Sequence, residues 1–156
     1  MNEIQYIQKH GAKKVRYPAY GRLTDQLQED GFTGDLDALI RLISACEMVE
    51  LLGGYEEAKK EFAEQLNADK PYPNETENNK QILLDYRRAH NIYEIGDTIK
   101  ANDGQFGFDE LYSIDEFFAD GDGVNLAVLD DGDSYPLTCL IHATDAEIKA
   151  DRCLDQ

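Results

Sequence analysis

Three histidines (His10, His90 and His142) and three cysteines (Cys46, Cys139 and Cys153) are the residues of this chain best suited to nucleophilic or metal chemistry. The histidines are scattered, and each reads as a surface residue. Cys139 and His142 have a C-x-x-H spacing, but on a strand an odd separation turns the two side chains to opposite faces. With no second Cys/His pair beside them, zinc is not expected. Cys139 reads as a core residue and His142 as a solvated strand end. Carboxylates are far more abundant. Asp115, Glu116, Asp120 and Asp122 cluster around Gly121 and Gly123, which invites comparison with a calcium loop. Counted from Asp120, however, the fifth and sixth positions are Val124 and Asn125, where an EF-hand requires an oxygen ligand and a glycine. The chain holds no Walker A, no G-x-G-x-x-G and no G-x-S-x-G sequence. No catalytic set is selected, and no metal or cofactor is expected. An enzyme reading would rest on an unassigned carboxylate pair or a Cys–His pair.

Charge is the stronger signal. The formal net charge is −17 over 156 residues, and the pI is near 4.3. Polyanions repel such a surface, so neither direct nucleic-acid binding nor an anionic membrane is expected; a basic partner is. The excess is unevenly placed. Residues 1–91 carry 12 basic and 16 acidic side chains, net −4, whereas residues 92–156 carry 3 and 16, net −13. An apolar fraction of 42% is enough for a core. The cysteines are odd in number and widely spaced, which fits a reducing cytosol rather than a disulfide framework. The first residues, Met1 to Gln5, have no basic or apolar leader character. The richest apolar stretch, Leu36 to Leu52, is interrupted by Asp37, Arg41, Glu47 and Glu50, too much charge to span a bilayer.

The elements that must position these residues fall into two groups, an α+β chain. Residues 1–91 form a helical unit. Helices are predicted over Glu3–His10 with Gly11 as stop, over Gly21–Glu29 closed by Gly31, and over Leu36–Leu52 capped by Asp35. In the last of these, Leu36, Leu39, Ile40, Ile43, Cys46, Val49 and Leu52 recur at three- and four-residue spacing. Tyr55–Leu66 follows, with Tyr55, Ala58, Phe62 and Leu66 on one face and an exposed Glu56–Lys60 pair. Residues 67–79, rich in Pro and Asn, read as a loop before a helix over Lys80–His90. Near the start, Lys9, His10, Lys13, Lys14 and Arg16, with Tyr6, Tyr17 and Tyr20, resemble a small nucleic-acid patch. In so acidic a chain, docking on the protein's own acidic half or on a second copy is the preferred reading.

Residues 92–156 form a strongly acidic, β-rich unit, antiparallel, with a small SH3-like barrel as the candidate architecture. A strand is predicted up to Ala101, followed by a turn at Asn102–Gly104. Strands are also predicted over Val124–Leu129 and Tyr135–His142, with a hairpin turn over Asp130–Asp133 between them. Ser113 with Glu116, and Thr144 with Glu147, have capping-box spacing, so short helices are expected over 114–119 and 145–151. The acids then lie in turns or at the ends of short elements: Asp109 and Glu110; Asp115, Glu116, Asp120 and Asp122; Asp130, Asp131 and Asp133. In a helix over 114–119, Ile114, Phe117 and Phe118 would be buried, leaving Asp115 and Glu116 outward. These nine carboxylates are the candidate partner-binding residues. Spaced carboxylates on a rigid scaffold can stand in for phosphates and occupy the basic groove of a nucleic-acid-binding protein. The same surface would suit an immunity protein or antitoxin neutralising a basic toxin.

The run from Asp37 to Glu50, followed by Gly53–Gly54 and Glu57–Ala58–Lys59, resembles a helix pair of small accessory proteins of temperate phages. The tail from Ile141 to Ala150 is similar to a C-terminal signature of other small phage proteins. It departs from that signature at Ile141, where a charged residue is expected, and at Asp151, where Gly is usual. Together these segments cover about a quarter of the chain. The resemblance implies a mobile-element origin and a cytoplasmic location in a bacterial host. In general character the chain is similar to anti-CRISPR and anti-restriction proteins that imitate DNA. The expected function is therefore a non-enzymatic inhibitor of a host defence complex or nuclease.

Overall fold

The structure, a computed structural model, describes residues 1–12, 20–67, 73–101 and 110–154. It has an α+β fold that divides into two compact units, Met1–Ile92 and Tyr93–Gln156.

The first unit is helical. Its helices are α1 (Glu3–His10), α2 (Tyr20–Glu29), α3 (Leu36–Leu51), α4 (Tyr55–Leu66) and α5 (Pro73–His90). Their ends follow local chemistry. The Asn2 side chain accepts the Gln5 N–H at 2.9 Å and the Gln5 side chain accepts the Asn2 N–H at 3.1 Å, closing a capping box on α1. Asp35 accepts the N–H groups of Asp37 and Ala38 at 2.8 and 3.3 Å and opens α3. The segment 67–79 is not a loop throughout, because α5 already begins at Pro73. A proline at the first helical position gives up only an N–H that has no helical partner there, and Glu75 favours the positive end of the helix dipole.

Two apolar clusters hold this unit. Ile4, Ile7, Leu39, Leu42 and Cys46 pack between α1, α3 and the end of α5, joined there by Ala89. Val49, Ala58 and Phe62 pack with Ile82, Leu83 and Tyr86. Each fully buried Leu or Ile contributes about 1.5–3 kcal/mol. The buried face of α3 is displaced from the predicted stripe. Ile40 is 39% exposed, while Leu42 and Ala45, which lie outside that stripe, are buried; on α4 Leu66 is 44% exposed. Lys60 pairs with Glu57 at 2.7 Å rather than with Glu56. Gly34 is required by a close approach, since a Cβ there would lie 2.4 Å from Glu3 Oε2 and 2.6 Å from the Glu3 backbone nitrogen.

The second unit is a five-stranded antiparallel sheet with one helix. The strands are β1 (Thr98–Ala101), β2 (Tyr112–Ala119), β3 (Asn125–Leu129), β4 (Ser134–Pro136) and β5 (Leu140–His142), followed by α6 (Asp145–Leu154). The order across the sheet is β4-β3-β2-β1-β5, so the last strand returns to pair with the first. The expected strand over 135–142 is broken by a 3-10 turn at Leu137–Cys139, which carries the chain from the β3 edge to the β1 edge. Ile99, Ala101, Ile114, Ala127, Leu129 and Leu140 form the core.

Residues 114–119 are a strand and not a helix. The Ser113 N–H, free to take part in a capping box, instead bonds Asp130 across the sheet at 3.2 Å. Phe117 and Phe118 pair with Ala127 and Leu126 of β3. Aromatic and β-branched residues favour the pleated surface, and cross-strand pairing outweighs the local helix signal. The second capping box does form: Thr144 N–H donates to Glu147 Oε2 at 2.8 Å and Glu147 N–H donates to Thr144 Oγ1 at 3.2 Å. No helix among the described residues is long and apolar enough to cross a membrane.

Candidate functional site

The acidic residues are distributed by two hairpin turns and a bulge. The β2–β3 turn carries Asp120 and Asp122, and the β3–β4 turn carries Asp130, Asp131 and Asp133. Strand β3, five residues long, separates them by about 13 Å at about 3.3 Å per residue. That exceeds the Debye length of about 8 Å at physiological salt, so each tip presents its charge nearly independently of the other. Asp115 and Glu116 lie between, where the β2–β3 register shifts between Ile114 and Glu116. The extra residue of such a bulge re-aims its side chain, and both carboxylates are exposed.

These acids do not all play one part. Asp120 Oδ1 accepts the N–H groups of Asp122 and Val124 at 2.9 and 2.8 Å, which fixes the β2–β3 turn. Asp131 accepts the Asp133 N–H at 2.9 Å, and Asp130 accepts the Ser113 N–H. Gly132, at φ 89°, supplies the left-handed residue that this hairpin needs. Two of the predicted binding carboxylates, Asp120 and Asp131, therefore build the turns, and Asp130 ties the end of β3 to β2. Glu116, Asp122 and Asp133 are exposed on the scaffold those turns make. Asp109 lies outside the described residues, as do Lys13, Lys14, Arg16 and Tyr17 of the basic segment and the predicted turn at 102–104.

Glu110 joins the β3–β4 end. It accepts a hydrogen bond from the Tyr112 hydroxyl at 2.8 Å. That bond, then desolvation, then the nearby charges of Glu110 and Asp131 push the Tyr112 hydroxyl up to about 12. Basic residues are sparse here; Lys100 is occupied by an ion pair with Glu147.

The residues first considered for chemistry are elsewhere. His142 is not a solvated strand end: it is 1% exposed, stacked on Tyr93 with ring centroids 4.5 Å apart. Cys139 ends the 3-10 turn and is half-buried, while Cys46 is buried in the helical unit. Burial pushes the Cys46 thiol up to about 12, so it is an inert core residue. His10 stacks on Tyr6 at 4.4 Å. Among the described residues no group of His, Cys, Asp and Glu is arranged to hold a metal ion.

Beside the acids lies a feature that the sequence reading missed. An open groove of about 400 Å³ is lined by Tyr93, Phe117, Phe118, Ala119, Asn125 and Leu137. The Tyr93 hydroxyl donates to the Leu140 carbonyl at 2.7 Å, which holds the ring in place. Phe118 is 42% and Val124 43% exposed. The adjacent aromatics of β2 were its sequence signal, once they are placed on a strand rather than a helix.

No protein-family model matches this chain, no curated protein matches it, and no solved structure matches it.

Proposed function

We propose that the β-rich unit binds the basic nucleic-acid groove of a host defence complex or nuclease and blocks it without chemistry of its own, in the manner of an anti-CRISPR or anti-restriction inhibitor. The observation that supports this reading is the placement of exposed carboxylates at both ends of β3, on turns that their own neighbours hold rigid. A surface whose acids are already positioned loses little conformational entropy on meeting Lys and Arg, and its charge speeds association. A net charge of −13 on 65 residues is self-repelling in the free protein, and a basic partner relieves that repulsion.

The test is capture from a bacterial lysate by the tagged full chain, with Glu116→Lys/Asp122→Lys/Asp133→Lys as the comparison. These three side chains are exposed and hold neither turn, so the variant should keep its circular dichroism spectrum. The expected result is capture of a nucleic-acid-binding complex that is displaced by duplex DNA and weakened as salt rises. The variant should lose about tenfold or more in affinity for it, about 1.4 kcal/mol. Capture that ignores DNA, salt and the three reversals would overturn the proposal.

A further inference from the structure

We infer that the outer face of strands β2, β3 and β4 is an arginine-binding face, on which a partner's guanidinium stacks against Phe118 and pairs with Glu116. This rests on the proposed function and names the side chain that its partner presents. Register sets the face. Glu116 pairs with Val128 and Val128 with Ser134, while Phe118 pairs with Leu126 and Leu126 with Pro136. Between these two rows Phe117, Ala127 and Tyr135 pair in turn, and they belong to the core on the opposite side of the sheet. Alternate residues of a strand share a face, so Glu116 and Phe118 stand side by side, about 7 Å apart along β2. The outward face of an antiparallel sheet is commonly polar. Here four of its six positions are Phe118, Leu126, Val128 and Pro136. Phe118 is 42% exposed, and Glu116 beside it is exposed.

Charge decides what covers this face. Between Tyr112 and Pro136 the chain has seven acidic residues and no Lys, Arg or His. A phosphate-bearing occupant is repelled by them, and a second copy of this face would bring the same seven charges to the contact. A cationic side chain is attracted, and of the two cations arginine matches the whole face. Its guanidinium is planar and weakly hydrated, so it stacks on an aromatic ring. Its fork of N–H donors pairs with a carboxylate, and its apolar stem lies along aliphatic side chains such as Leu126 and Val128. Lysine offers Glu116 a strongly hydrated point charge and has no plane to lay on Phe118.

Three fluorescein-labelled peptides of equal length, alternating Ser with Arg, with Lys or with Leu, are titrated against the full chain by anisotropy. The Arg peptide is expected to bind about two- to fivefold more tightly than the Lys peptide, the size of an exposed cation–π contact. Phe118→Ala should erase that preference. Phe118→Leu, which keeps an apolar side chain opposite Leu126, should erase it too, and Phe118→Tyr, which keeps a ring, should retain it. Glu116→Gln should weaken the Arg peptide more than the Lys peptide. Equal Arg and Lys affinities, or an Arg preference that survives Phe118→Leu, would overturn the arginine face and leave the acidic surface standing. Tightest binding of the Leu peptide would assign the face to an uncharged apolar segment and overturn the inference as well. So would a dimer in sedimentation that Phe118→Ala dissolves. Failure of all three peptides to bind would overturn both the arginine face and the acidic surface.

Discussion

The helical unit buries charge and the β unit displays it. In the first, Asp85 is 0% and Arg88 2% exposed. Asp85 accepts from Arg41 Nε at 2.7 Å, from Gln81 Nε2 at 2.9 Å and from Arg88 Nη1 at 3.4 Å. This carboxylate ties α3 to α5 and its charge is cancelled on the spot. In the second unit Glu147 is paired with Lys100, but the carboxylates of the two hairpin turns meet backbone N–H groups, which take up some oxygens without cancelling charge. Backbone donors satisfy hydrogen-bonding capacity but leave the net charge to the surface. The lesson is that an acidic residue that accepts several hydrogen bonds can still belong to a binding surface.

The sharpest way to break the contrast is to remove the buried carboxylate. Asp85→Ala removes the buried carboxylate to which exposed Arg41 and buried Arg88 both donate, and losing one side of a buried pair costs about 3–5 kcal/mol. Domain stabilities are about 5–15 kcal/mol, so the helical signal should melt at much lower urea. Glu116→Ala, an exposed acid of the β unit, should stay within about 0.5 kcal/mol of the native chain. Replacing Arg41, Asp85 and Arg88 together by Met, Leu and Met should recover much of the loss, because no unpaired charge then remains buried. Equal urea midpoints for Asp85→Ala and Glu116→Ala would erase the distinction.

The two units were also unequally legible. Helices α1, α3 and α4 could be read almost to the residue, because Asp35, Gly11 and Gly53 punctuate a 3.6-residue pattern that local chemistry enforces. The first turns of α5 escaped notice because Pro and Asn signal loops, while Pro73 stands at the one helical position that welcomes it. Strand β2 was misread because the Ser113–Glu116 capping box is a local signature and pairing with β1 and β3 is not local. His142 reads as a strand end in one dimension, and only return of β5 to β1 buries it against Tyr93. The acids were recognisable as turn residues. Their division into turn-builders and displayed charges was not, since it depends on which N–H each oxygen reaches.

That division is itself testable with smaller effects. Asp120→Ala removes the acceptor of two backbone N–H groups and should cost about 1–2 kcal/mol, in the range of a lost cap. Asp122→Ala, two residues on in the same turn, should cost under about 0.5 kcal/mol. Urea titrations followed through amide resonances of β2 and β3 read both. The ranking should reverse for a basic partner: Asp122→Ala weakens binding with the fold intact. If the two variants were equally stable, the assignment of Asp120 to the turn would fail.

The smallest expected effect concerns acid. Glu147 is partly buried, which by itself raises its carboxyl pKa. The Lys100 ammonium and the Thr144 N–H and hydroxyl outweigh that and hold it below its usual 4.5. A carboxyl whose folded pKa is depressed contributes stability that is fully present above about pH 4.5 and is lost as pH falls through the lower folded value. The β unit should therefore lose the Glu147 contribution as pH falls below about 4.5. Lys100→Met removes the ion pair and most of that contribution. That variant should start less stable at neutral pH and gain on the native chain as pH falls. A difference between the two chains that stayed constant across the titration would show that the Lys100–Glu147 pair does not set the acid response of this unit.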